Sequence, residues 1–175
     1  MPRISVNDIH NISKTALVQH GALDWISEEV SDAVAASESV GNRICGLYYL
    51  ESYCEQLLSG RVNGQASPDV ELVRSGAIYV DADDGFAQPA FSKGLPEALK
   101  LAKENGIASL SVGRAHTCTS LGYFTKKIAE AGFLGLGLTN ASPIVAPPGG
   151  KSRIIGTNPI AFSVPDGNGS IPPCH

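Results

Sequence analysis

The chain has 175 residues, 43% of them hydrophobic and 17% charged, with a formal net charge of −4. That length supports one modest core, and the composition is that of an ordinary globular protein, not a disordered one. An acidic balance without basic runs speaks against nucleic acid or an anionic membrane as partner, and no stretch reaches the roughly 20 apolar residues of a membrane span.

The N-terminus carries polar residues every few positions and no apolar segment of signal length, so a cytoplasmic protein is expected. Four cysteines, Cys45, Cys54, Cys118 and Cys174, form no CxxC pair. They read as reduced thiols, and no metal site is expected from them.

The first third predicts helices. Ser5 caps the first, with Asp8 three residues on and Val6, Ile9, Ala16 and Leu17 at helical spacing until Gly21. A second runs from Ser27, with Glu28 and Glu29 in its first turn, to Gly41. A third covers 47–58 and stops at Gly60. His10, His20 and His175 read as surface residues. The stretch "GRVNGQASP" at 60–68 marks the internal boundary, dividing a helical domain, 1–68, from an α/β domain, 69–175.

Beyond it, "VELVRSGAIYV" reads as strand and "DADDG" as an acidic turn whose glycine supplies positive φ. "LPEALKLAKENG" predicts a helix with Pro96 in its first turn and Gly106 just past its end. "IASLSV" is a short buried strand. "TSLGYFTKKIAEAG" is a helix capped by Thr119 or Ser120, and "FLGLGLT" is another strand. This alternation predicts an α/β fold with helices covering a sheet, and by pattern alone a parallel one.

Three loops after the strands are rich in Gly, Pro, Ser, Thr and Asn: "RAHTCTSLGYF", "TNASPIVAPPGGKS" and "GTNPIAF". Loops at strand ends are where such folds bind ligands. "GGKS" lacks the earlier glycine of a phosphate-binding P-loop, since Val145 stands there, and no GxGxxG follows a strand. In the first loop His116 offers an imidazole that can give or take a proton near neutral pH. A thiol-dependent hydrolase using Cys45 or Cys118 with His116 is a weaker alternative. Cys118 is only two residues from His116, and no oxyanion-hole motif is evident.

The combination "TNASPIVAPPGGKSRIIGTNPIAFSVPDG" closely resembles the type-2 malate/L-lactate dehydrogenase family of NAD(P)-dependent oxidoreductases. The likeness continues back through "GYFTKKIAEAGFLGLGLTN", "PEALKLAKENGIASLSV" and "DADDGFAQPA" to "LESYCEQLLSGRVNG". It implies a non-Rossmann, largely antiparallel mixed sheet that binds NAD or NADP, in place of the parallel sheet, and a homodimer. The implied activity interconverts a small 2-hydroxy acid and its 2-oxo acid, or reduces a related cyclic imine. By the same resemblance His116 is the catalytic histidine. Thr139, Asn140 and Ala141, Pro148, Gly149 and Gly150, and Gly156, Thr157, Asn158 and Pro159 are the cofactor-binding stretches. On the third helix Cys45 stands where the family carries histidine and Tyr49 where it carries arginine, which makes both substrate-binding positions.

The family runs to about twice this length, and "SIPPCH" does not continue its next strand, because Pro172 and Pro173 lack the N–H that a ladder needs. The expectation is therefore a truncated chain that binds NADH or NADPH weakly and turns nothing over.

Overall fold

The computed structural model describes residues 4–166, so the reading of residues 170–175 lies outside the described part. The chain forms two compact units, Met1–Ser120 and Leu121–His175. Among the described residues, no helix is long and apolar enough to cross a membrane.

The first unit opens with α1 (Val6–Gln19), capped as its sequence predicts: the Ser5 hydroxyl accepts a hydrogen bond from the Asp8 N–H at 3.0 Å. Helix α2 (Asp24–Ser39) starts three residues before Ser27, and its N-cap Leu23 is held by an N–H to the Gly64 carbonyl at 2.9 Å. Ser27 is instead a fully buried helix residue. Two single turns of tighter helix, Arg43–Cys45 and Leu47–Tyr49, lead into α3 (Leu50–Leu58), so the predicted third helix is α-helical except for its first turn. Leu17, Ile26, Val30, Val34, Tyr53, Val62 and Phe86 close into one core. Each such side chain contributes about 1.5–3 kcal/mol on burial.

Where the composition changes, helices give way to strands. "VELVRSGAIYV" is a hairpin, not one strand. β1 (Asp69–Arg74) and β2 (Ala77–Asp81) pair antiparallel around the turn at Ser75 and Gly76, with a register shift between Leu72 and Arg74. Ser75 and Gly76 supply the turn between them. Helix α4 (Ala87–Asn105) then carries the chain back to β3 (Ser109–Gly113), parallel to β2. The three-stranded sheet is therefore mixed, in the order β1-β2-β3.

Helix α4 begins eight residues before Leu95. Pro89 occupies its first turn and Pro96 its interior, contrary to the sequence reading. Ala87, Ala90, Phe91, Gly94 and Leu101 recur at helical spacing and are buried, but small residues mixed with prolines conceal that stripe. Gly94 is there for closeness: a Cβ would lie 2.6 Å from Val80 Cγ2 and 2.9 Å from Leu110 Cδ1. Gly106 ends the helix in the left-handed conformation.

The second unit packs α5 (Leu121–Glu130) on a two-stranded antiparallel sheet of β4 (Gly135–Leu138) and β5 (Ile160–Ser163). Strand β5 is the part of "GTNPIAF" that the sequence reading left as loop. Gly135, Gly137 and Ser163 face the helix, where Thr125 Oγ1 and Ser163 Oγ lie 2.8 Å apart in a buried hydroxyl pair. The larger residues Leu136, Leu138, Ile160 and Phe162 are exposed on the sheet, Ile160 by 70%.

Candidate active site

The first unit gathers its chemistry at the C-terminal ends of the parallel strands β2 and β3, the edge at which such sheets bind ligands. After β3 the chain reaches His116, whose N–H donates to the Gly85 carbonyl at 2.7 Å. Its own carbonyl accepts from the Ala87 N–H at 3.2 Å. A single parallel bridge, Phe86 to His116, thus fixes the histidine beside the first turn of α4.

An arginine pins the two loops that meet here. Arg114 Nη1 donates to Asp81 Oδ2 at 3.0 Å and Nη2 to Asp84 Oδ2 at 2.6 Å, with Asp83 Oδ1 at 3.7 Å. The guanidinium holds the Asp84 carboxyl below the usual carboxylate range. Positive φ in "DADDG" falls on Asp83 and Asp84, not on Gly85, a conformation that aspartate tolerates better than most residues. Arg114 and the β-branched Thr119 also take positive φ, at 49° and 50°. Such backbone costs on the order of 1–3 kcal/mol per residue and clusters at functional sites.

The His116 ring meets Tyr53 edge-on at 6.4 Å between centroids and Phe86 at 6.1 Å. Tyr53 stacks in turn on Tyr49 at 6.1 Å, and Tyr49 meets Tyr48 at 5.8 Å. The ladder runs from a 76% exposed Tyr48 to a 1% exposed Tyr53. Burial pushes the Tyr53 phenol far above its ordinary range, against a smaller opposing effect of Thr119. Burial first, then the charge of Arg61, pulls the His116 imidazole below its usual value. The shift favours the neutral ring, which can accept a proton and return it.

Three positions singled out by sequence, Cys45, Tyr49 and His116, belong to this cluster. Cys45 and Cys118 bear electrostatically on Tyr53 and on each other. Burial raises the Cys45 thiol above its ordinary range, the reverse of what a thiolate nucleophile requires. Iodoacetamide at neutral pH should therefore label Cys45 no faster than an ordinary thiol, whereas rapid stoichiometric labelling would revive the hydrolase. Tyr53, Arg61 and the Arg114–aspartate clamp escaped the sequence reading. Tyr53 was absorbed into an apolar helix face, and the clamp joins residues some thirty positions apart.

The stretches expected to bind a cofactor lie in the second unit. The Ala141 N–H donates to Asn158 Oδ1 at 2.9 Å and the Thr139 N–H to the Pro159 carbonyl at 3.4 Å, so residues 139–141 and 156–159 come together. Gly156 has to be glycine, because a Cβ there would run into the Ala141 carbonyl. Pro148, Gly149 and Gly150 sit apart from these, in a loop closed by the Val145–Ile155 bridge and turned by the Gly150 N–H on the Pro147 carbonyl at 2.9 Å. Exposed Lys151 and Arg153 follow it directly.

His10 and His20 are part-buried, not free on the surface. His20 Nδ1 lies 2.6 Å from the Ala16 carbonyl oxygen. His10 Nε2 lies 3.2 Å from Asp32 Oδ1 and 3.4 Å from Glu28 Oε1, and Lys14 already neutralises Glu28 at 2.8 Å.

Residues 4–173 match the family model described as malate/L-lactate dehydrogenase, and the chain belongs to that family. It is 33% identical over 169 residues to a Δ1-pyrroline-2-carboxylate/Δ1-piperideine-2-carboxylate reductase of Pseudomonas aeruginosa, covering 97% of this chain and 51% of that protein. It is 35% identical over 162 residues to a (2R)-3-sulfolactate dehydrogenase (NADP+) of Chromohalobacter salexigens, covering 93% and 48%. The crystal structure of Δ1-piperideine-2-carboxylate reductase from Pseudomonas syringae pvar. tomato superposes with a TM-score of 0.90 at 29% identity, over 98% of this chain and 52% of that one. The chain therefore spans about half the length of the relatives it matches.

Proposed function

We propose that this chain carries the proton-transfer side of an NAD(P)-dependent oxidoreductase that interconverts a small 2-hydroxy acid and its 2-oxo acid. The observation that carries the reading is a neutral, part-buried imidazole fixed at the ligand-binding edge of the sheet, in a chain of this family. A bound nicotinamide supplies or takes the hydride. His116 gives a proton to the substrate oxygen in reduction and removes it in oxidation. Tyr53 and Phe86 hold the ring on two sides, and the Arg114 clamp keeps its loop on the β2–α4 turn.

The second unit fits a nicotinamide cofactor in kind. Its crossing loops place backbone N–H groups and a Cβ-free glycine at an exposed surface, with Lys151 and Arg153 nearby in sequence for phosphates. Thr139, Asn140, Ala141, Gly156, Thr157, Asn158 and Pro159 would hold one face of it, and Pro148, Gly149 and Gly150 another. A homodimer working in the cytoplasm completes the proposal, on the family resemblance alone. The Pseudomonas aeruginosa relative favours a cyclic imine as the alternative substrate, reduced by the same proton transfer to nitrogen.

A second reading, a member that keeps the architecture without turnover, is favoured by Cys45 and Tyr49 at the expected substrate positions. Titration with NADH and NADPH, followed by nicotinamide fluorescence before and after adding pyruvate, oxaloacetate or Δ1-piperideine-2-carboxylate, separates the two. Saturable binding and oxidation of the cofactor support the first. A folded chain that binds neither nucleotide supports the second.

A further inference from the structure

Helices α1 and α2 pack together through Ile9, Leu17, Ile26 and Val30, all buried in the same core. The residues beside those anchors meet on the exposed side of the pair. His10 follows Ile9 on α1, and Glu28 and Asp32 flank Val30 on α2, four residues apart and so on one helix face. His10 Nε2 lies 3.2 Å from Asp32 Oδ1 and 3.4 Å from Glu28 Oε1. One ligand atom from each of the three falls within 4.8 Å of the other two. Nothing in the proposed reaction uses these residues.

We propose that His10, Glu28 and Asp32 bind a divalent transition-metal ion, zinc by preference, that clips α1 to α2. The assignment stands apart from the oxidoreductase reading.

The first argument is what Nε2 lacks. The atom is shielded from solvent, yet it makes no hydrogen bond to either carboxylate oxygen or to any other described group. A single ring N–H cannot point at two acceptors at once, whereas a metal ion between them takes a lone pair from all three. Asn11 Oδ1, 3.5 Å from Nδ1, is at hand for the proton on the other ring nitrogen. Ligating histidines ordinarily make such an outer hydrogen bond.

The second argument is spacing. Tetrahedral zinc bonds nitrogen and carboxylate oxygen at about 2.0–2.2 Å, which sets neighbouring ligand atoms about 3.3–3.6 Å apart. The two distances from Nε2 match that edge, and the half-exposed Asp32 side chain has room to close the third. The third argument is the donor set. An imidazole suits zinc and its transition-metal neighbours, while magnesium and calcium take oxygen. Three protein ligands leave one tetrahedral position for water. Lys14 does not block the site: it bonds Glu28 Oε2 at 2.8 Å, whereas Oε1 is the oxygen that faces His10. That bond orients the carboxylate and holds it below its usual range. The ammonium charge also opposes the metal, so a micromolar site is expected, not a nanomolar one.

The test is titration of the reduced 175-residue chain with zinc chloride, followed by NMR of the histidine rings and by thermal unfolding. Zinc should shift the His10 ring signals, leave those of His20 in place and raise the unfolding midpoint. Magnesium should do neither. His10→Asn, Asp32→Asn and Glu28→Gln should each weaken the binding at least about tenfold, and Glu97→Gln on α4 should not change it. Asp32→Asn, at a half-exposed position, decides the matter should His10→Asn not fold. A His10 ring unmoved by millimolar zinc, an equal response to magnesium, or undiminished zinc binding by Asp32→Asn would each overturn the assignment.

Discussion

Replacing His116 by asparagine should lower turnover by on the order of 10²–10⁴-fold in any form of the protein that transfers hydride, with nucleotide affinity little changed. The reason is chemical, not structural. Asparagine can pack against Tyr53 and Phe86 and keep the backbone bonds to Gly85 and Ala87, but it cannot exchange a proton near neutral pH. The pH dependence carries the same signature. His116 is shifted below its ordinary value by burial and by Arg61; the other titratable neighbours, Tyr53, Cys45 and Cys118, sit within the same cluster. Reduction consumes the protonated ring, so its rate should fall as pH rises through the His116 pKa, below about 6.5. Oxidation uses the neutral ring and should rise through the same point. Stability follows the sign of the shift: it is complete above the unfolded value and declines as pH falls through the lower folded one. Near-normal turnover by His116→Asn would reduce the residue to a loop histidine.

Phe86→Ala should cost about 3–5 kcal/mol of unfolding free energy, a large part of the 5–15 kcal/mol that holds an ordinary domain together. Phe86 is 1% exposed and lies in the helical core. It also meets Tyr53 at 5.4 Å and carries the bridge to His116. The cavity would remove packing from both the core and the His116 ring. Chemical denaturation should show the loss as a lower midpoint with an unchanged slope. A change below about 1 kcal/mol would mean that the site can collapse around the vacancy.

What the sequence made legible depended on how local each signal was. The first helix could be read from Ser5, Asp8 and Gly21, because a cap, its partner and a stop lie within one short segment. Helix α4 could not be bounded, since its buried stripe runs through Ala87, Ala90 and Gly94, whose smallness serves contact with β2 and leaves little hydrophobic signal. The hairpin of β1 and β2 read as one strand because its turn, Ser75 and Gly76, is only two residues long. Among site residues, His116 stood out by its loop, whereas Cys45 and Tyr49 were noticed only through family resemblance. Tyr53 had no signal of its own. Its meaning comes from the Gly85–His116 hydrogen bond, which pairs segments that no sequence spacing connects.

The proposed proton transfer requires an imidazole at His116 that burial against Tyr53 and Phe86 holds below its ordinary pKa. The most direct measurement is an NMR pH titration of the His116 ring in the 175-residue chain. The account predicts a single titration with a midpoint below about 6.5, and signals from the Tyr53 and Phe86 rings that follow it. A midpoint at or above that value, with no response from either ring, would contradict the account.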